Sequence, residues 1–320
     1  MKHKADFLRL RVSRFSDGMQ ESDLMENLKN IAQNVYFNEP MKNHTTFKIG
    51  GPADVFIEAV SIDEIKDAVS FCKEKNIPYM IMGNGSNMLV GDKGIRGVVI
   101  QVSKHMNKVE IDGETVTAEA GILMSGLANA LLKAELSGFE TLSGIPGTLG
   151  GGIYMNAGAY GGELKDIVES VTYVDKNGDI KTAYPDELDL SYRHSMFETG
   201  EYVILSCVMK LKKGNYEEIK SAMQDYNKRR SDKQPLAMPS AGSTFKRPDG
   251  YFAGKLIQDC GLMGYSIGGA QVSEKHAGFV VNKGDATAED VLSLIKYIQD
   301  TVKEKFGVRL EPEVRLIGEQ

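Results

Sequence analysis

A chain of 320 residues, 42% hydrophobic and 26% charged, carries enough apolar material for two globular domains. Its net charge of −6 argues against general binding to nucleic acid or an anionic membrane, so any polyanionic ligand must meet a local basic patch. Three scattered cysteines, Cys72, Cys207 and Cys260, form no C-x-x-C pair, and no apolar run approaches the ~20 residues of a membrane span, which points to a reduced, cytoplasmic chain without a structural metal.

The basic opening MKHKADFLRLRVSRF lacks the apolar core and cleavage site of a signal peptide. Residues 1–24 read as a flexible tail, with Met19 and Met25 as alternative starts, and a first domain is expected over 25–213. Leu28, Ile31, Ala32 and Val35 fall on one face of a short helix within 25–38. Gly50-Gly51-Pro52 separates two extended runs, the second a strand over 54–60. Ser61 and Glu64 make an S-x-x-E cap before an amphipathic helix, 62–75, with Ile65, Ala68, Val69 and Cys72 inward. A short strand, 78–82, then runs into Gly83-Asn84-Gly85-Ser86-Asn87. These glycines open the backbone, and Ser86 and Asn87 add side-chain donors suited to phosphate, although a G-x-G alone is more often a plain β-turn.

Strands are expected at 98–102, 108–111 and 115–120, the last two joined at Asp112-Gly113, and a helix at 124–136. The stretch 141–163, TLSGIPGTLGGGIYMNAGAYGGE, holds eight glycines. Glycine costs backbone entropy, so this density implies positive φ or close backbone approach, and a loop of this kind can turn main-chain N–H groups toward one anion. It is neither a G-x-G-x-x-G opening a helix nor a Walker loop. Two glycine-rich loops together suit a pyrophosphate better than a single phosphate.

Strands 167–174 and 179–184 flank Asn177-Gly178, and 202–211 is an apolar strand, so the first domain reads as α+β with mixed sheets. A second domain is expected over 214–320. Its helix at 215–230 is acidic at the start and basic at the end, which dipole compensation explains without a ligand. The cluster continues through Lys233, Lys246 and Arg247, however, and suits ligand phosphates equally well. Loop 235–250, a short helix at 254–260 and a strand at 277–282 follow. Thr287 and Asp290 then cap a long helix with Val291, Leu294, Ile295, Ile298 and Val302 on one face. In a last strand, 308–317, Leu310, Val314 and Leu316 alternate with Arg309, Glu311, Glu313 and Arg315, a charged face that is ordinarily solvated.

GNGSNML (83–89), SGIPGTLGG (143–151) with MNAGAYGGE (155–163), SYRHS (191–195), PSAGSTFKRP (239–248) and LEPEVRLIG (310–318) occur in that order. As a set they resemble the MurB family, the UDP-N-acetylenolpyruvoylglucosamine reductases of peptidoglycan synthesis, over about residues 43–318. The short spacing between SYRHS and AGSTF is similar to the family's second type, which lacks a Tyr-bearing insertion over the substrate. Two departures stand out: Gly152 where relatives often have Ala, and Met263 where they often have Lys, so that substrate phosphate would need another base.

The resemblance implies an FAD-binding domain of the vanillyl-alcohol-oxidase (PCMH) type and a smaller α+β C-terminal substrate domain. It also implies NADPH as reducing co-substrate, UDP-N-acetylglucosamine-enolpyruvate as substrate, and a monomeric cytoplasmic enzyme with no nucleic-acid or membrane partner. Hydride would pass from flavin N5 to C3 of the enolpyruvyl ether and a proton from Ser243 to C2. Arg193 would chelate the carboxylate and Glu313 help polarise it, with Lys246 or a water relay stabilising the Ser243 alkoxide. The cofactor set carried over is Gly83, Asn84, Gly85, Ser86, Asn87, Met88, Ile145, Pro146, Gly147, Thr148, Gly151, Gly152, Asn156, Ala157, Gly158 and Ala159. Arg229, Lys246 and Arg247 are expected at the UDP phosphates. His44, His105, His194 and His276 have no partner spacing for a metal or a triad and are assigned no chemistry. The rival readings are another flavin oxidoreductase acting on an alcohol or hydroxy acid, and a non-catalytic flavin or nucleotide-sugar sensor.

Overall fold

The computed structural model describes residues 21–320. The tail expected over 1–24 lies outside the described residues as far as residue 20. Its last four residues instead open helix α1 (Glu21–Ile31), because Leu24 and Leu28, one turn apart, both bury in the main core. The helical pattern does not extend to Val35, which starts strand β1 (Val35–Pro40).

β1 pairs antiparallel with β2 (Pro52–Glu58), which runs parallel to β5 (Ile95–Gln101), itself parallel to β3 (Tyr79–Met82). Covered on both faces, β5 reads as a continuous apolar run. Its Val98 and Ile100 enter the main core, while Val99 points into a small second cluster with Met41, Phe56, Met82 and Val90. Helix α2 (Ile62–Glu74) packs its buried face on the main core. The Ser61 hydroxyl caps it by accepting from the Glu64 N–H, but the Glu64 carboxylate accepts from Val60 and Gln33 rather than closing the box.

β6 (Val109–Asp112) and β7 (Thr115–Glu119) form the hairpin expected at Asp112-Gly113, with Gly113 at φ +61°. They edge an antiparallel five-stranded sheet completed by β8 (Val168–Val174), β9 (Ile180–Ala183) and β10 (Val203–Lys210). Helices α3 (Met124–Lys133) and α4 (Leu149–Tyr154) bury Leu127, Leu131, Leu149 and Ile153 in the same core. So does α5 (Tyr216–Lys233), through Ile219 and Met223, although the sequence places that helix at the head of the C-terminal unit.

A separate core unites α6 (Ala253–Asp259), a three-stranded sheet of β11 (Ser266–Ile267), β12 (Ala270–Val272) and β13 (Val280–Asn282), and the long helix α7 (Ala288–Phe306). Phe47, Ile49 and Leu89 from the first half of the chain join that core. The final strand is shorter than expected. Only Arg315–Ile317 forms a regular strand, β14, and it runs parallel to β4 (Met88–Val90), directly after the first glycine loop.

Candidate active site

The two glycine loops lie against each other. Gly83–Asn87 leaves β3 and Met88 opens β4, while Ile145–Thr148 leads into α4. The Asn84 amide donates to the Pro146 carbonyl at 2.7 Å, and a Cβ on Gly83 would meet Thr148 Oγ1 at 2.3 Å. Any side chain at position 83 would push the loops apart.

The glycine-rich stretch works differently from an open nest. Leu149–Tyr154 is a short helix, and the N–H groups of Gly150, Gly151 and Gly152 are given to Ala120 O, Thr148 Oγ1 and Thr148 O. Several of these glycines serve close packing instead. A Cβ on Gly150 would press on Ala120 at 2.9 Å, and one on Gly158 would press on Glu163 at 2.7 Å. Asn156 is fully buried. Its amide donates to Glu163 and to the Ser191 carbonyl, and its oxygen accepts from the Lys165 N–H, so this side chain positions the SYRHS turn. Ala157 is buried beside it, and Gly158 and Ala159 pair with Glu163 and Gly162. One N–H of the Asn87 amide donates to the Glu313 carbonyl.

Arg230 was not singled out from its basic neighbours. Its Nε is buried with no hydrogen-bond partner among the described residues, and a Cβ on Gly144 would lie 2.9 Å from it. Its guanidinium stands over the Tyr160 ring, 5.8 Å from the centroid. Burial pushes Arg230 below the usual guanidinium range, with Tyr160 opposing. A half-buried guanidinium whose Nε has no partner among the described residues, beside Gly144 at the edge of the paired glycine loops, suits an anionic or electron-rich group, and together these features fit the phosphates and ring system of FAD.

Arg193, Ser243 and Glu313 converge on one cavity of about 510 Å³. Arg193 sits at φ +56° in the tight turn Ser191–His194, so its side chain projects out of the turn. Its Nε donates to Glu313 Oε1 at 2.8 Å and its Nη2 to the Gly158 carbonyl at 3.4 Å, with both Arg193 and Glu313 largely buried. That Gly158 contact places the pair beside the glycine loop. Ser243 comes to Glu313 through backbone pairing. Thr244 N–H donates to Gly278 O, Glu313 N–H to Thr244 O, and Lys246 N–H to Glu311 O. Of the charged face expected for the last strand, Arg309 and Glu311 are exposed, whereas Glu313 meets Arg193 and Arg315 meets Glu198.

The bases around the cavity differ from those expected. Arg247 lines it, as do Lys233, Lys255, Lys275 and His276. Arg229 instead pairs with Asp225 one turn back on α5, and Lys246 is not among the lining residues. Met263 does line the cavity, as do Lys255, which pairs with Asp259 one turn on, and Lys275, which donates to the Ser231 carbonyl. His276 Nδ1 accepts from the Gly278 N–H, and burial, followed by the charge of Lys233, lowers its pKa. Lys255 and Lys275 carried no sequence signal, because neither belongs to a motif and only the fold brings them to Ser243.

Comparison with known proteins gives concordant results. A family model described as "FAD binding domain" matches residues 53–184, and one described as "UDP-N-acetylenolpyruvoylglucosamine reductase, C-terminal domain" matches 234–317. The chain is 54% identical over 299 residues to the UDP-N-acetylenolpyruvoylglucosamine reductase of Caldanaerobacter subterraneus subsp. tengcongensis, covering 93% of this chain and 99% of that one. The corresponding protein of Clostridioides difficile is 52% identical over 303 residues, covering 94% and 100%. Among solved structures, the UDP-N-acetylenolpyruvylglucosamine reductase (MurB) of Thermus caldophilus superposes with a TM-score of 0.76 at 34% identity, covering 89% of this chain and 98% of that one. The expected fold, a PCMH-type FAD-binding domain with an α+β C-terminal domain, agrees with these matches.

Proposed function

The chain belongs to the UDP-N-acetylenolpyruvoylglucosamine reductase family of FAD-dependent oxidoreductases, and on that basis we propose that it reduces the enolpyruvyl ether of UDP-N-acetylglucosamine to UDP-N-acetylmuramate, with NADPH as reductant. The reading extends to a monomeric, cytoplasmic enzyme of peptidoglycan precursor synthesis. The observation that carries it is the meeting of Arg193, Ser243 and Glu313 on one cavity beside the paired glycine loops.

FAD, when bound, supplies the electron pair accepted at C3 of the alkene. The residues that would hold it are the loops Gly83–Asn87 and Ile145–Thr148, with Arg230 as the cation behind them. Charge accumulating at C2 and the carboxylate has to be met by fixed donors. Arg193 has N–H groups left over after its bonds to Glu313 and Gly158, and a guanidinium stays charged throughout. Glu313 fixes the guanidinium plane through Nε, so that the remaining edge is aimed rather than free to rotate. The Ser243 hydroxyl gives its proton to C2. A serine is a weak acid, and the positive charge of Arg247, Lys233, Lys255 and Lys275 around the cavity stabilises its conjugate base. The same bases take the diphosphate of the nucleotide sugar.

The test is spectroscopic. Purified protein should be yellow, bleach with NADPH under anaerobic conditions, and regain colour on adding the enolpyruvyl nucleotide sugar. Protein that stays colourless after reconstitution with FAD, or whose reduced flavin ignores that substrate, would refute the proposal.

A further inference from the structure

Two links join the SYRHS turn to the C-terminal strand. One is Arg193 to Glu313, which belongs to the reacting site. The other runs through residues given no role so far. Glu198 Oε1 contacts Arg315, its Oε2 meets His194 Nδ1 at 2.6 Å, and His194 Nε2 meets Asp189 at 2.9 Å. In sequence the second link lies alongside the first: His194 follows Arg193, and Arg315 is two residues beyond Glu313.

We propose that Glu198 and Arg315, braced by His194 and Asp189, are positioning residues that hold Glu313 in register with Arg193 while Arg193 engages the substrate carboxylate. The inference rests on the functional reading above and names the device that keeps its site in shape. Once the Arg193 guanidinium takes a second carboxylate, its bond to Glu313 is shared. Glu313 lies two residues before the three-residue β14, its main chain held by Thr244 O and the Asn87 amide, and the second link adds a side-chain anchor to those backbone bonds.

The anchor is well founded at both ends. Glu198 lies in a 3₁₀ turn, Met196–Thr199, whose Phe197 is buried. The turn is started by the fully buried Ser195, which donates to Tyr154 O at 2.8 Å and accepts from the Phe197 N–H. On the other side, the Arg315 N–H donates to Asn87 O, and its guanidinium stands 5.2 Å from the Tyr154 ring centroid. The second link therefore ties the strand both to the first glycine loop and to the end of α4. Glu198 and Arg315 are partly exposed, at 25% and 37%, so the pair adds little to global stability and its effect should be kinetic. Near-attack geometry tolerates only small displacements, and a shift of about 1 Å is enough to cost up to a hundredfold in rate.

The experiment compares holoenzyme of the wild type with Glu198→Gln, Arg315→Met, the double variant and Arg315→Lys. Bound flavin, melting temperature, flavin reduction by NADPH and re-oxidation by the enolpyruvyl substrate are measured for each. Both single variants should keep their flavin, melt within a few degrees of wild type and reduce normally. They should re-oxidise about ten- to a hundredfold more slowly. The double variant should be no worse than either single, and Arg315→Lys should recover part of the rate. Single variants that re-oxidise at the wild-type rate, or that lose flavin, melting temperature and rate in step, would overturn the positioning role. A wild-type protein that is never re-oxidised defeats the functional reading itself, a result distinct from wild-type turnover with unaffected variants.

Discussion

Asn156 sits in the glycine-rich stretch yet commits its whole amide to the protein, holding Glu163, the Lys165 N–H and the carbonyl of Ser191 two residues before Arg193. Replacing it with Ala leaves buried groups unpaired, and we expect a loss of about 2–3 kcal/mol in urea denaturation, together with slower re-oxidation of reduced flavin. Ser243→Ala is expected to leave flavin reduction by NADPH intact and slow re-oxidation by the substrate about 10²- to 10⁴-fold; equal loss in both half-reactions would remove Ser243 as the acid. Thiol chemistry should follow burial. Desolvation pushes the Cys72 thiol up to about 12 and raises Cys207 as well; it also raises Cys260, but that thiol is only half buried and Lys305 opposes the shift. Iodoacetamide at mild alkaline pH should therefore mark Cys260 first, as read by peptide mass spectrometry. At this scale the sequence was informative wherever a residue sat inside a spaced motif, as Arg193, Ser243 and Glu313 do. It gave no sign that the Asn156 amide is taken up by Glu163, Ser191 and Lys165, or that Asn87 donates to the Glu313 carbonyl, because a side chain's partners are set by its neighbours in space. Nor could it separate Arg247, which lines the cavity, from Arg229, which pairs with Asp225, since basic residues close in sequence diverge once α5 and the following loop are built.

Helix α7 has its first turn fully accounted for. The Ala288 and Glu289 N–H groups donate to Asp92, and the Asp290 N–H donates to Thr287 Oγ1. The Asp290 carboxylate accepts in return from Thr287 and Gly269. Hydrogen bonding from the Thr287 backbone leads the causes that hold the Asp290 carboxyl below its usual value, with desolvation opposing and Gly269 assisting. A carboxyl depressed on folding stabilises the protein above its unfolded pKa of about 3.9, and this stability drains away as pH falls through the lower folded value. Asp290→Asn should then lower the melting temperature at neutral pH, and the gap from wild type should close in strong acid. This cap was legible in T-x-x-D, because a capping box is a local interaction. The last strand was less so. Its alternation correctly sent Leu310 and Val314 inward, but only Arg315–Ile317 forms a regular strand, since its length is set by the three-residue β4 opposite.

Over the whole molecule, the two cores are joined by more than a covalent linker. Phe47, Ile49 and Leu89 reach into the C-terminal core, Asp92 caps α7, and β14 lies beside β4. Asp92→Ala should cost about 1–2 kcal/mol by exposing two helix N–H groups, measured by chemical denaturation, while leaving the flavin loops unaltered. Fold class and the order of most elements could be read from local patterns. The assignment of α5 to the first core could not, because its polar sequence gives no sign of where Ile219 and Met223 dock. Parallel pairing between β4 and β14 also bears on biosynthesis. Asn87 and Glu313, hydrogen-bonded in the finished protein, are 226 residues apart, so the loop proposed to grip the dinucleotide leaves the ribosome long before its neighbour exists. A nascent or prematurely stopped chain would present β4 with a bare edge and an unfinished catalytic wall, and flavin capture should be among the last events of maturation.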